Sequence, residues 1–348
     1  MAARSFRSVR LAAEQLGAAE AVTMSLVGEA EVAARTGRLT EALELSSRAG
    51  QLTDLVPLGA TYNAVVRFLV LLHLDRPAEA EESCQQLETL VDERDEGIAR
   101  TWLLHLHGIR HLGLGRPEAA ARLYLKAEQL FDQLGIGEPC VVPWAGRAVI
   151  AHARAGRDGD AVRVLGWLDA CAARLPCRWP RLAAEFGRAE LAARHEDHLT
   201  SERHYRQALA LHEGVELPLE RVSTLLAYGS MLHHSGQPAR ARKLFTEALE
   251  VADATGAPAL ARYARAGLAV TGGRRRRHNS NGHLTPQELR IARLARAGSS
   301  RRDIAERLTL SEATVRTHLE HIYTKLNIHS ARELMTSNLD QLADSETQ

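Results

Sequence analysis

Gly236-Gln-Pro-Ala-Arg-Ala241 is the last of a series that runs through most of the chain. Earlier copies are Gly37-Arg-Leu-Thr-Glu-Ala42, Asp75-Arg-Pro-Ala-Glu-Ala80, Gly115-Arg-Pro-Glu-Ala-Ala120 and Gly156-Arg-Asp-Gly-Asp-Ala161, with a degenerate copy at Glu196. The first residues of these copies are spaced by 38, 40, 41, 40 and 40 residues. In register, the fifth residue after each start is small: Ala42, Ala80, Ala120, Ala161, Ser201, Ala241. The ninth is mostly large: Ser46, Cys84, Tyr124, Leu165, Tyr205, Phe245. The twelfth is Ala49, Leu87, Ala127, Leu168, Ala208 or Ala248. Offsets of 5, 9 and 12 share one helix face, where small residues permit close approach and the large one fills the gap.

Pro77, Pro117 and Pro238 stand two residues after the start, in the first turn of a helix, where a missing N–H costs nothing. Six helix–turn–helix units are predicted, stacked as a solenoid in which each buries its apolar face only against its neighbours. The alternative is an irregular helical bundle. The small–aromatic–small second helix resembles tetratricopeptide repeats over about 270 residues. Their usual period is shorter, so helices or loops here are expected to be longer. Ala2, Phe6 and Val9 fit offsets 5, 9 and 12 of a further copy, so the chain is expected to begin inside a second helix. Pro258–Thr271 is expected to be one more first helix. The fold class is therefore all-α: a solenoid over 1–271, a flexible basic linker over 272–282, a small module over 283–343 and an acidic tail over 344–348.

The 348 residues are 45% apolar, which excludes a largely disordered chain. Lys and Arg number 44 against 43 Asp and Glu, but the balance is uneven. Residues 274–334 carry 13 basic and 6 acidic side chains, which concentrates positive charge near one end. Arg274–Arg277 is either a solvated linker or a non-specific phosphate anchor. The four cysteines form no CxxC pair, no signal peptide opens the chain, and no apolar run spans a membrane. A cytoplasmic protein with reduced thiols and no membrane partner is expected.

The small module reads as four short helices. Thr285-Pro-Gln-Glu288, Ser300-Arg-Arg-Asp303 and Ser330-Ala-Arg-Glu333 are capping boxes, and Gly298 closes the first helix. Only Thr309 and Leu310 separate the second helix from Ser311, the cap of the third, a connection tight enough for a DNA-binding helix-turn-helix. Val315, Leu319, Ile322 and Leu326 make the apolar seam of the third helix. Ala313, Arg316, Thr317, Glu320 and Thr324 lie opposite.

Leu284-Thr-Pro-Gln-Glu288, Gly298-Ser-Ser-Arg-Arg-Asp-Ile-Ala305, Leu310-Ser-Glu-Ala-Thr-Val-Arg-Thr-His318 and Ile322-Tyr-Thr-Lys-Leu326 together resemble a LuxR-type helix-turn-helix over about 50 residues. The resemblance implies double-stranded DNA as partner, with Arg316, Thr317 and Glu320 reading bases and Thr314, Arg301 and Lys325 on phosphate. It implies a homodimer through the last helix, about Ala331–Ala343. The sequence departs from the family at Arg301, His321 and Ala331, and Glu320 stands where the family is often basic or neutral.

Repeats plus this module resemble the C-terminal part of large ATP-binding LuxR-type regulators. No Gly-Lys dipeptide exists in these residues, so no Walker A loop is available and the ATPase is expected to be absent from them. No nucleophile signature supports catalysis, and neither cofactor nor metal is expected. The histidines at 105, 107 and 111 have no Cys or carboxylate partner at ligand spacing, and Cys171 and Cys177 are expected to be buried packing residues. The reading is a sequence-specific transcriptional regulator, with a protein or small-molecule effector in the repeat groove and RNA polymerase as a partner if it activates. The alternative is a protein–protein scaffold whose helix-turn-helix is masked or vestigial.

Overall fold

The computed structural model describes residues 2–52, 56–94, 97–271, 284, 286–308, 312–326, 328 and 333–334. The predicted linker over 272–282 and the acidic tail lie outside the described residues. Two compact units emerge, Met1–Gly273 and Arg274–Gln348. Among the described residues all regular structure is helical, and no helix is long and apolar enough to cross a membrane.

The first unit alternates first and second helices. It opens with α1 (Ala2–Leu16), followed by the pairs α2 (Ala19–Arg35) and α3 (Leu39–Gly50), then α4 (Pro57–His73) and α5 (Pro77–Arg94). Next come α6 (Gly97–Gly113) with α7 (Pro117–Gln133), and α8 (Trp144–Arg154) with α9 (Asp158–Arg174). The series ends with α10 (Trp179–Arg194) and α11 (His198–Leu211), α12 (Pro218–His234) and α13 (Pro238–Ala254), and a lone α14 (Pro258–Thr271). Every predicted copy starts a second helix. The long period has two sources. Most helices run 16 to 18 residues, and where α8 has only 11 the preceding loop is correspondingly long.

The turn inside each pair is the same. Gly37, Gly115, Gly156 and Gly236 have φ of 79°, 68°, 75° and 77°. Asp75 and Glu196 take the same left-handed conformation, at 57° and 58°, the only non-glycine residues to do so among those described. Each turn carries two crossed backbone bonds. At Gly37 the Arg38 N–H donates to Ala33 O (2.8 Å) and the Gly37 N–H to Ala34 O (3.1 Å). At Glu196 the Asp197 N–H donates to Ala192 O and the Glu196 N–H to Ala193 O, both at 3.1 Å. The orphaned carbonyls at the end of the first helix are thereby satisfied.

All eighteen residues at offsets 5, 9 and 12 are buried, from Ala42 at 0% to Leu165 at 6% exposure. The close approach they permit is visible at Phe245, clamped between the backbones of α12 and α14. A Cβ added at Gly229 or Gly267 would meet its ring at 2.8 or 2.6 Å. Phe6 covers Gly28 in the same way. Phe6 and Val9 are themselves exposed, unlike their counterparts, because α2 covers α1 on one side only.

One expectation needs correction. The units do not pack only against sequence neighbours. Leu26, Val27 and Ala30 of α2 and Val66 and Val70 of α4 share one core with Leu219, Val222 and Leu225 of α12 and Leu260, Ala261 and Ala264 of α14. Arg262 Nη2 meets Asp75 Oδ1 at 2.9 Å across the same seam, and a Cβ at Gly37 would touch Thr255 at 2.6 Å. After six units the superhelix has come round, and its last helices seal against its first. The first helices, with Phe6 of α1 and the loop before α8, line a half-open cavity of about 500 Å³.

Two measurements follow. Glu196→Gly should stabilise the array by about 0.5–1 kcal/mol, because relief of a left-handed residue (~1–2 kcal/mol) outweighs the extra chain entropy of glycine. Gly236→Ala should destabilise it by about 1 kcal/mol, both read by urea unfolding. Burial also lowers His105 to about 3 and His152 and His212 to about 4, all three buried and therefore neutral in the fold. Unfolded, they titrate near 6.5. Stability should thus be full above pH 6.5 and fall as pH drops toward 4, by up to about 1.4 kcal/mol per pH unit for each histidine. His152→Leu should reduce that slope by up to one proton.

Candidate functional site

The second unit assembles from three described helices: α15 (Pro286–Arg296), α16 (Arg301–Leu308) and α17 (Glu312–Leu326). Gly298 closes α15 with φ of 85°, the Ser299 N–H donating to Leu294 O at 3.1 Å. At the start of α16 the expected reciprocal cap forms. The Asp303 N–H donates to Ser300 Oγ at 3.2 Å, and the Ser300 N–H donates to Asp303 Oδ2 at 3.0 Å. The hydroxyl of Ser300 donates to the same carboxylate, and these bonds hold Asp303 below its usual carboxylate range. The boxes at Thr285 and Ser330 lie outside the described residues, as do Thr309, Leu310 and Ser311.

These caps fix the ends of the helices, and a small core fixes their faces. Ile291 and Ala292 of α15, Ile304 and Ala305 of α16, and Val315, Leu319 and Ile322 of α17 are all buried together. Leu334, in the stretch expected to be the fourth helix, is buried in the same core. The rest of the segment 331–343, where a dimer contact is expected from the sequence, lies outside the described residues apart from Glu333.

With Val315 and Leu319 turned inward, the residue after each faces water: Arg316 and Glu320 are exposed, one helical turn apart. Arg301 is exposed at the first position of α16, beside Arg302, which pairs with Glu306 at 3.4 Å. Thr314, Thr317 and Lys325 fall within α17, but their side chains lie outside the described ones. An exposed helix face carrying an Arg and a Glu offers a two-pronged donor for guanine N7 and O6 and an acceptor for the cytosine amino group.

Contacts between repeats bring together residues that local spacing could not pair. His107 Nε2 lies 3.0 Å from a Glu88 oxygen, with Cys84 alongside, all three ligand atoms within 4.8 Å of one another. Both partners come from α5, the preceding second helix. Glu138, Cys140 and Cys177 form a second such group. Cys171 is buried as expected, whereas Cys177 is only half-buried and belongs to this group. Burial raises Cys84 to about 11 and Cys140 higher still, which keeps both as thiols and opposes metal ligation as thiolates.

The comparisons with known proteins bear on the small module. Residues 282–337 match the family model for bacterial regulatory proteins of the luxR family (GerE). A protein of Mycobacterium tuberculosis named as an HTH-type transcriptional regulator is 45% identical over 64 residues, 18% of this chain and 7% of its own length. An uncharacterized response regulatory protein of Escherichia coli is 40% identical over 63 residues, 18% of this chain and 43% of its own. The matched stretch thus spans less than half of either relative.

The cap is open to direct test. Ser300→Ala should speed amide hydrogen exchange at Asp303 several-fold in the intact chain at neutral pH, the scale of a lost N-cap, while Ser300→Thr leaves it near wild type. Equal exchange in all three proteins would show that the cap contributes nothing. Buried seam, capped helices and family match agree: the C-terminal module is a LuxR-type helix-turn-helix domain, joined to an array of helical repeats.

Proposed function

We propose that the chain is a sequence-specific, DNA-binding transcriptional regulator. Its C-terminal module reads the major groove, and its repeat array receives a ligand or partner. The observation that carries this reading is the face of α17 opposite the seam, where Arg316 and Glu320 stand exposed on a LuxR-type scaffold. Relatives of the module named as HTH-type transcriptional regulators support it. Arg316, Thr317 and Glu320 are assigned to base edges, and Arg301, Thr314 and Lys325 to phosphates.

One such module covers few base pairs, so tight binding calls for two half-sites and a homodimer, which we place at the segment 331–343. RNA polymerase enters as a partner if the protein activates. The reading assigns no catalysis, cofactor or metal to the chain.

Selection of bound sequences from random duplexes, at fixed salt and with the full chain, tests this. An enriched inverted repeat is the expected result, with binding that weakens steeply as salt rises. Arg316→Ala should cost about 1–3 kcal/mol and relax preference at a single base pair. No enrichment would favour a scaffold with a masked module, a reading to which the acidic Glu320 on the exposed face lends weight.

A further inference from the structure

Three of the four cysteines gather at one end of the α8–α9 pair, where the chain enters it and leaves it. The loop before the short α8, residues 134–143, is held against the end of α9. Buried Cys171 of α9 donates its thiol hydrogen to Gly137 O at 3.7 Å, and Arg174 Nη2 donates to the same sulfur at 3.7 Å. Glu138 comes next, and its Oε1 accepts the Cys140 backbone N–H at 3.1 Å. Cys177 approaches from the other side, three residues past the end of α9. A Glu138 carboxylate oxygen and the sulfurs of Cys140 and Cys177 all lie within 4.8 Å of one another.

Neither Cys140 nor Cys177 is explained by the repeat. Both stand outside the helices, and both are only half-buried. The group at Cys84, Glu88 and His107 differs, because Cys84 holds the ninth position of its copy in the core and Glu88 already pairs with His107 at 3.0 Å. A tetrahedral zinc ion, with Zn–S of ~2.3 Å and Zn–O of ~2.1 Å, sets its ligand atoms ~3.6–3.8 Å apart. Glu138, Cys140 and Cys177 therefore need to close by no more than roughly 1 Å to surround one.

We propose that Glu138, Cys140 and Cys177 are the ligands of a zinc ion, with water in the fourth position. Two sulfurs and one carboxylate oxygen suit Zn²⁺, whereas Mg²⁺ and Ca²⁺ take oxygen ligands. Both Zn–S bonds form as the two Sγ–H protons pass to solvent. Those protons are the ion's competitors, since burial and the Glu138 carboxylate keep the Cys140 thiol protonated when no cation is present. A divalent charge at bonding distance from both sulfurs displaces them. Two thiolates and a carboxylate leave the bound ion with one surplus negative charge. The Arg174 guanidinium, 3.8 Å from where a Cβ on Gly137 would stand, answers it. The ion fastens the loop leading into the α8–α9 pair to the segment leading out of it. The proposal stands apart from the DNA-binding reading.

Zinc uptake by the full chain, stripped with a chelator and kept reduced by a phosphine, tests this. Zinc should bind in competition with a chromophoric chelator. Cobalt(II) in its place should show tetrahedral d–d bands and sulfur-to-cobalt charge transfer. Cys140→Ser and Cys177→Ser should each weaken zinc a hundredfold or more and reduce the charge-transfer band. Glu138→Gln should weaken it about tenfold and leave that band in place. Cys84→Ser and His107→Gln should change this affinity less than twofold. Zinc should raise the Tm of the wild type by several degrees and leave that of Cys177→Ser unmoved. Circular dichroism melting of each metal-free variant checks that the array is folded.

Zinc that binds Cys140→Ser and Cys177→Ser as tightly as wild type would overturn the proposal. So would zinc lost through Cys84→Ser or His107→Gln instead, which places the ion at the other group. A reduced wild type that takes up no zinc, yet forms a Cys140–Cys177 disulfide with oxidised glutathione, would mark a redox pair and overturn it as well.

Discussion

A helix that reverses direction within three residues must put one of them in the left-handed region, and the array depends on doing this six times. Four of the six positions are glycine, where the conformation is free of strain, and two are not. The reversal fixes how far the second helix starts from the first, and so which residues of the pair meet. Given that register, the positions five, nine and twelve residues on face inward in every copy. The uniformly small residue at the fifth position suits the turn, which brings the two helices close where the second one starts.

Where the large residue at the ninth position appears, the neighbouring helix gives way. Phe245 lies on Gly229 and Gly267, and Phe6 on Gly28. Where it is small, bulk comes from the other side. Ser46 and Cys84 are matched, twenty-two residues on, by the buried Phe68 and Leu106, at the place where Phe245 has Gly267.

This explains what could be read before the fold was known. The turn residues and the inner face of the second helices recur at a fixed period, so every copy reinforces the others, and even the degenerate one at Glu196 takes the common turn. The caps of the small module were legible for the same kind of reason: Ser300 and Asp303 are three residues apart and act within one turn of helix. Contacts between distant units have no such signature. Nothing near Asp75 announces Arg262, 187 residues away, and nothing near His107 announces Glu88 or Cys84. The cavity escaped the sequence for that reason too, since its wall is shared among several helices that are far apart in the chain. On α17 the split into a buried seam and an exposed face followed from helical spacing, with Val315 and Leu319 turned inward and Arg316 and Glu320 outward.

The seam between the last helices and the first changes the mechanics of the array. An open stack of repeats bends like a spring, each joint adjusting on its own, and frays from its ends. A hoop has no such freedom. A change of tilt at any one joint must be shared among all the others or released at the single place where the hoop is fastened, which here is the apolar contact of α2 and α4 with α12 and α14, clasped outside by Asp75 and Arg262. Strain raised anywhere around the circumference is therefore delivered to that clasp.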